Sequence, residues 1–287
     1  MVKQRTTLDK IKAGKSLKDP EVVAWIRDKI CYPFLLYLSK TKIKYKVEVL
    51  NGYTPQPKKP IIFCGNHQAF PDTPLLLRIP KRRSYVLVGK QNLAFIDTVF
   101  FNLMGTIWVD RKSKEDMVAS KEGILAKLND GHSVCWCPEG TWNLTANQLI
   151  MPMKWGIIDV ARQAGAQIIP LIFDYNRETM VCRAKFGEPI FGADLEDKAK
   201  GIEKLRDDMA TLRWELMELN HVVDMDKTTP QDLKADVYKA LDEYPPLDWE
   251  YESSCIYTPH KPVDVLPKTV EPCPKTAFLF NKRLYLR

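Results

Sequence analysis

The apolar positions of this chain fall into short solid runs separated by longer stretches at helical spacing. Ile61-Ile62-Phe63-Cys64, Tyr85-Val86-Leu87-Val88, Thr106-Ile107-Trp108-Val109 and Ser133-Val134-Cys135-Trp136-Cys137 are apolar almost throughout, as strands in the interior of a sheet are. Ile168 to Phe173 is a further strand, carrying Pro170. Two segments alternate instead. Ile43, Tyr45, Val47 and Val49 interleave with Lys42, Lys44, Lys46 and Glu48, and Met180 to Phe186 follows the same rule, so each predicts a half-buried strand. Between the strands apolar residues step by three and four. Met117, Ile124 and Leu128 mark a helix from Lys114 to Leu128 that ends at Asp130-Gly131. Lys154 to Ala164 is a second helix, closed by Gly165, and Ile202, Leu205, Met209, Leu212 and Leu216 mark a third. Asn92 to Met104 reads as a helix or an irregular apolar segment. Strands separated by helices predict an α/β fold, with a central mixed, mostly parallel sheet flanked by helices.

The two ends of the chain read differently. Residues 1–40 form a basic arm (Lys3, Arg5, Lys10, Lys12, Lys15, Lys18) followed by an N-terminal helical segment that opens at Asp19-Pro20. Val22, Val23, Ile26, Ile30 and Phe34 repeat at helical spacing, and Pro33 is expected to kink or end that segment. Phe34 to Leu38 is apolar on every side, and Trp25, Tyr32 and Tyr37 suit a headgroup layer. A core segment or a membrane-interface helix both fit this pattern. Residues 41–222 form the α/β domain. Residues 223–287 hold one more helix from Thr229-Pro230, with Leu233, Val237 and Leu241 inward. An extended proline-rich tail after Tyr244 completes that region.

Composition narrows the partners. The net charge of +7 over 287 residues favours anionic ones: nucleic acid, phosphorylated metabolites or an acidic membrane surface. Interleaved aromatic and basic motifs of the nucleic-acid modules are absent, so no nucleic acid is expected. The seven cysteines are scattered without Cys-x-x-Cys, which argues for a reducing compartment. No signal-peptide core and no apolar stretch of bilayer length is present. A cytoplasmic protein, peripheral on the inner face of the membrane, is expected.

Candidate chemistry begins after the first solid strand, at Asn66-His67-Gln68-Ala69-Phe70-Pro71-Asp72. A His and an Asp five positions apart at the mouth of a buried strand can form a base and the carboxylate that orients it. A neutral imidazole can take a proton from an attacking hydroxyl, and the carboxylate stabilises the imidazolium. Asp72-Thr73-Pro74 also fits the start of a helix, with Asp72 as its cap. Three further patches follow in order. Gly105 to Arg111 is a strand ending in an arginine. Pro138-Glu139-Gly140-Thr141 is a turn directly after a buried strand. Ile168-Ile169-Pro170-Leu171 is a strand with a proline. Backbone N–H groups of Glu139-Gly140-Thr141 are candidate donors to an oxyanion. Between Thr73 and Ile96 there are no acidic residues, while Arg78, Lys81, Arg82, Arg83 and Lys90 occur, a run able to meet phosphate.

These four patches resemble the glycerolipid acyltransferase family, typified by 1-acyl-sn-glycerol-3-phosphate acyltransferases. That family shows His-x4-Asp, Gly-x5-Arg, Phe-Pro-Glu-Gly-Thr-Arg-Ser and an apolar stretch with proline, in this order. Lys154-Trp155-Gly156 also looks like the Lys-x-Gly that follows the third motif, and Phe186 to Ile190 matches a frequent turn after the sheet. The likeness runs from about Pro60 to Ile190. It departs at Trp142-Asn143, where the family usually continues with Arg, and at Ala69, where a serine is frequent.

The resemblance implies an O-acyltransferase. It would move a fatty acyl group from acyl-CoA or acyl carrier protein to a lysophospholipid hydroxyl, with 1-acyl-sn-glycerol-3-phosphate the leading acceptor. His67 and Asp72 would be catalytic. Lys90, Arg111, Glu139, Gly140, Thr141 and Lys154 would bind substrate. No metal or other cofactor is implied, the acyl carrier being a co-substrate, and an anionic membrane surface is the expected support. Another lysolipid, glycerol-3-phosphate or an amine are alternative acceptors. A non-catalytic lipid-binding relative is the alternative from another class, since Trp142 replaces a motif residue.

Overall fold

A computed structural model of the chain describes residues 25–55, 59–90, 101–145, 148–191, 197–220, 230–242 and 248–257. Its centre is an eight-stranded sheet of β1 (Lys46–Val49), β2 (Ile61–Gly65), β3 (Ser84–Gly89), β4 (Thr106–Val109), β5 (Ser133–Trp136), β6 (Gln167–Asn176), β7 (Val181–Phe186) and β8 (Ile190–Phe191). The order is β1-β7-β6-β2-β5-β3-β4, with β8 paired to β6. Strands β6, β2, β5, β3 and β4 are mutually parallel, β7 and β8 run antiparallel to β6, and β1 is parallel to β7. The sheet is therefore mixed and mostly parallel, as the pattern of solid apolar runs predicts.

Helices α1 (Tyr32–Lys42), α2 (Asp72–Arg78), α3 (Lys114–Asn129), α4 (Gly156–Ala164), α5 (Lys198–Leu219), α6 (Pro230–Leu241) and α7 (Trp249–Ser254) complete the described elements. Two cores lie on the two faces of the sheet. Ile62 and Cys64 of β2 point into one with Ile124, Leu128, Ile157, Val160, Leu205 and Trp214 of α3, α4 and α5. Ile61 and Phe63 point into the other with Leu75 and Leu76 of α2. Period-two alternation thus survives in β2 although every residue is buried. Such runs are apolar throughout because helices cover both faces.

Three expectations are corrected. Pro33 neither ends nor interrupts the N-terminal helix. The chain widens into a π turn, Arg27–Cys31, where Tyr32 N–H bonds to the carbonyl of Arg27, and α1 then continues through Pro33 near its start. A proline ring crowds the turn before it, and a wider turn relieves that crowding. Secondly, the segment after Tyr244 is not extended throughout. Asp248 accepts the Tyr251 N–H at 2.9 Å and starts α7. Thirdly, Asp72 does not cap α2. Pro71 occupies the cap position, and the Asp72 carboxylate turns back toward the preceding loop. The Asp19-Pro20 helix start, most of Asn92–Met104, and the tail from 258 onward lie outside the described residues, as do the side chains of Leu233 and Val237.

Candidate active site

The motifs meet because each follows the carboxyl end of a parallel strand. His67 follows β2, Lys90 follows β3, Arg111 follows β4 and Glu139 follows β5. Crevices at the carboxyl ends of strands are where open α/β sheets place their ligands.

Strand β2 leaves the sheet at Gly65, whereas β6 continues to Asn176. The backbone of Phe173 would lose its partner there. The side chain of Asn66 replaces it: Nδ2 donates to the Phe173 carbonyl at 3.0 Å and Oδ1 accepts the Phe173 N–H at 2.9 Å. Gln68 Nε2 donates to the same carbonyl at 2.7 Å. The loop that carries His67 is therefore fastened to the sheet on both sides of the histidine.

His67 Nδ1 lies 3.3 Å from Asp72 Oδ2, and 17% of the imidazole side chain remains exposed. Asp72 is wholly buried. Its Oδ2 also accepts the N–H groups of Gln68 (2.5 Å) and Ala69 (2.8 Å), and its Oδ1 accepts the Tyr175 hydroxyl at 2.5 Å. A buried carboxylate is costly unless its oxygens are matched, and these donors match them. Burial, reinforced by the Asp72 carboxylate beside it, pushes the Tyr175 phenol well above its ordinary range, so it stays a donor. Tyr175 is held edge-on against Tyr45, ring centroids 4.9 Å apart.

Glu139 lies under the same loop, 2% exposed. Its Oε1 accepts the His67 N–H at 2.9 Å and its Oε2 the Met151 N–H at 2.8 Å. Burial pushes its carboxyl above the usual range, against the pull of those two N–H groups. Both oxygens are engaged with backbone, so the residue ties three loops together. The loop around Met151 is held in turn by α5. Arg206 donates to the Ile150 carbonyl at 2.9 and 2.8 Å, and Arg213 donates to that of Leu149.

Gly140 has φ of +78°, a conformation that a side chain would strain. Its carbonyl accepts from Arg111 Nη1, and its N–H donates to the Cys137 carbonyl at 3.2 Å. That amide is committed to the turn and is not free for an oxyanion. The Arg111 guanidinium lies over Gly89, where an added Cβ would come within 3.0 Å of Cζ. Arg111 also forms a two-pronged pair with Glu252 of α7, at 2.7 and 3.1 Å, and Thr141 Oγ1 donates to Glu252 Oε2 at 2.6 Å.

The remaining sequence-predicted residues are more dispersed. Lys90 pairs with Asp116 in the first turn of α3. Lys154 is exposed, its ammonium 5.9 Å from the Tyr257 ring centre. Lys81, Arg82 and Arg83 precede β3, and α2 has by then carried the chain back to the amino end of the sheet. They stand a strand length from the His67 loop, and Arg83 pairs with Asp28 there. Of the basic run, Lys81 to Arg83 therefore stand apart from the His67 loop, whereas Lys90 stands at the carboxyl end of β3.

Trp142 packs against the imidazole, ring centroids 5.0 Å apart and tilted by 45°. Asn143 N–H donates to the His67 carbonyl at 2.6 Å, and its side chain bonds the Gln148 carbonyl and Thr145. Neither Tyr175 nor Glu252 was identified from the sequence. Tyr175 lies 103 positions from its partner on an ordinary core strand. Glu252 had one signal, the Asp248 cap that places it in a first turn.

A profile described as Acyltransferase matches residues 46–174. This stretch contains β1 to β5, most of β6 and the four motif patches set out above, but not the Phe186–Ile190 turn. Over this stretch the chain is similar to the Acyltransferase family. It is 27% identical over 202 residues to the 1-acyl-sn-glycerol-3-phosphate acyltransferase of Saccharomyces cerevisiae, covering 64% of each chain. It is 29% identical to the protein of the same name from Borreliella burgdorferi, covering 54% of this chain and 59% of that one. For the Haemophilus influenzae enzyme the figures are 31% identity, 41% and 50%. The matches therefore span about half to two-thirds of these relatives' length. In fold, the domain is similar to the 1-acyl-sn-glycerophosphate acyltransferase PlsC of Thermotoga maritima. The TM-score is 0.50 at 18% identity, over 71% of this chain and 84% of that one.

Proposed function

We propose that the protein is an O-acyltransferase that moves a fatty acyl group from a thioester, acyl-CoA or acyl carrier protein, to the free hydroxyl of 1-acyl-sn-glycerol-3-phosphate. The observation that carries this reading is the His67–Asp72 pair, 3.3 Å apart, with the carboxylate held by Gln68, Ala69 and Tyr175. The names of the relatives support the acceptor.

With Nδ1 turned to Asp72, Nε2 is the nitrogen left to meet a hydroxyl. It takes the hydroxyl proton as the oxygen attacks the thioester carbonyl. The tetrahedral adduct collapses, the carbon–sulfur bond breaks, and the imidazolium returns the proton to the thiolate. The products are the diacyl ester and the free thiol, with no covalent acyl-enzyme. Asp72 steadies the imidazolium while it exists. Glu139 acts by holding the His67 loop, and Trp142 fixes the ring against rotation. Arg111 and Thr141 supply the donors suited to the acceptor's phosphate. The donor stage of the test is a labelled transfer assay with oleoyl-CoA and oleoyl carrier protein against lysophosphatidic acid, lysophosphatidylcholine and glycerol-3-phosphate. Transfer to lysophosphatidic acid is expected from the wild type. Transfer to none of the three acceptors contradicts the reading.

Membrane association is part of the same proposal. Ile30, Phe34 and Tyr37 are exposed at the spacing i, i+4, i+7, with exposed Trp25 five residues earlier across the π turn. Cys31 and Ser39 are buried on the opposite face. Among the described residues no helix is long and apolar enough to cross a membrane. An anionic bilayer surface is the support that this stripe, flanked by Lys29 and Lys40, suits.

A further inference from the structure

Glu252 reaches the site from outside the segment matched by the family profile. Its carboxylate takes two hydrogen bonds from the Arg111 fork and one from Thr141. The Arg111 and Glu252 side chains are only 12% and 7% exposed. Other residues of the segment lie beside neighbouring cations. The Tyr251 ring centre lies 5.1 Å from the Arg111 guanidinium and 4.9 Å from the Lys112 ammonium. Tyr257 lies against Lys154. A ten-residue stretch, 248–257, thus occupies the Arg111 and Thr141 donors best placed to hold an acceptor phosphate, while Lys112 and Lys154 beside it stay exposed.

A carboxylate seated on a guanidinium fork and a hydroxyl makes the contacts that two phosphate oxygens would make. Two anions cannot share that fork. Arg111 Nε is buried and meets no acceptor among the described residues, so the carboxylate leaves one of the guanidinium donors unmatched. A phosphomonoester brings three terminal oxygens and more charge. Because desolvation largely offsets the attraction within a buried pair, replacing one anion by another there is a small step in free energy.

We infer that Glu252 is an internal stand-in for the acceptor's phosphate, displaced together with α7 when a phosphomonoester binds to Arg111 and Thr141. Glu252 thereby sets the affinity for phosphate-bearing acceptors. The inference rests on the proposed acylation of such an acceptor, but its first test needs no turnover.

Hydrogen exchange of the full-length protein is followed with and without sn-glycerol-3-phosphate. In the wild type, amides of Tyr251 to Cys255 are expected to exchange at least fivefold faster when the probe binds. In Glu252→Gln they exchange fast from the start, and the probe binds at least fivefold tighter by titration. That gain is absent in the Glu252→Gln/Arg111→Ala double variant. Probe binding to the wild type without a change in α7, or no binding to either protein, overturns the inference. The wild-type arm stands even if the variant folds poorly. With lysophosphatidic acid as acceptor, Glu252→Gln is expected to lower the acceptor KM at least fivefold and leave the thioester KM unchanged. A released α7 without acyl transfer by either protein retires the proposed function and keeps the stand-in. Acyl transfer with an unresponsive α7 does the reverse.

Discussion

Asp72 carries more of the site than any other residue. One carboxylate orients the imidazole, closes the loop by accepting two backbone amides, and receives a phenol from the adjacent strand β6. Tyr175→Phe keeps the ring packing and removes one donor from a wholly buried carboxylate. It is expected to cost about 1.5–3 kcal/mol in stability, read by urea denaturation, together with a fall in kcat. Glu139 offers a second check. In Glu139→Gln one of the two backbone N–H groups faces an NH2 instead of an oxygen. The expected loss is about 1–3 kcal/mol, measured by thermal or denaturant unfolding. An unchanged stability would mean that the carboxylate does not brace the loop. At this scale the sequence was legible where partners are close. Five positions separate His67 from Asp72, and a strand-to-loop pattern exposes that spacing. Tyr175 and Glu252 were hidden because nothing local distinguishes a core tyrosine or a helix glutamate from its neighbours. Only the register of β6 and the docking of α7 bring them in.

Among the elements, strands were legible from their apolar runs because burial on both faces leaves little room for polar residues. The placement of the motifs at strand ends follows from that pattern. What the pattern could not supply was the response of the backbone to Pro33, since widening and termination begin from the same crowded turn. It likewise hid the direction of the Asp72 carboxylate, because a helix start is consistent with a side chain turned either way. The packing of α3, α4 and α5 yields a pH prediction. Asp159 of α4 pairs with Lys121 of α3 and with Lys198 of α5 at 2.5 Å. Burial works against its ionisation, but the hydrogen bonds and charges of the two lysines hold its pKa down at about 2, from an ordinary value of 3.8. A depressed folded-state pKa contributes stability that is present above the unfolded value and lost as pH falls through the folded one. Wild-type stability should therefore fall between pH 4 and pH 2 more steeply than that of Asp159→Asn, as read by denaturant midpoints. Parallel curves for the two proteins would remove the clamp.

For the molecule as a whole, the exposed apolar stripe of the π turn and α1 and the site-bearing ends of the strands are two separate surfaces, the first proposed for membrane contact and the second for acyl transfer. Ile30→Asp/Phe34→Asp is expected to abolish flotation with anionic vesicles while leaving the far-ultraviolet spectrum unchanged. Undiminished flotation would place the membrane contact elsewhere. The α/β class and the order of the motifs could be read in advance, because both are written in local periodicity. The seating of residues 248–257 on Arg111 and Thr141 could not, because it joins segments more than a hundred positions apart. The central claim is that one imidazole, steadied by Asp72, removes the acceptor's proton. It is tested most directly by kcat for acyl transfer to lysophosphatidic acid in His67→Ala and Asp72→Asn, with folding verified for each. Losses of roughly a thousandfold or more are predicted for both. A His67→Ala protein that keeps a tenth of the wild-type rate would contradict the account.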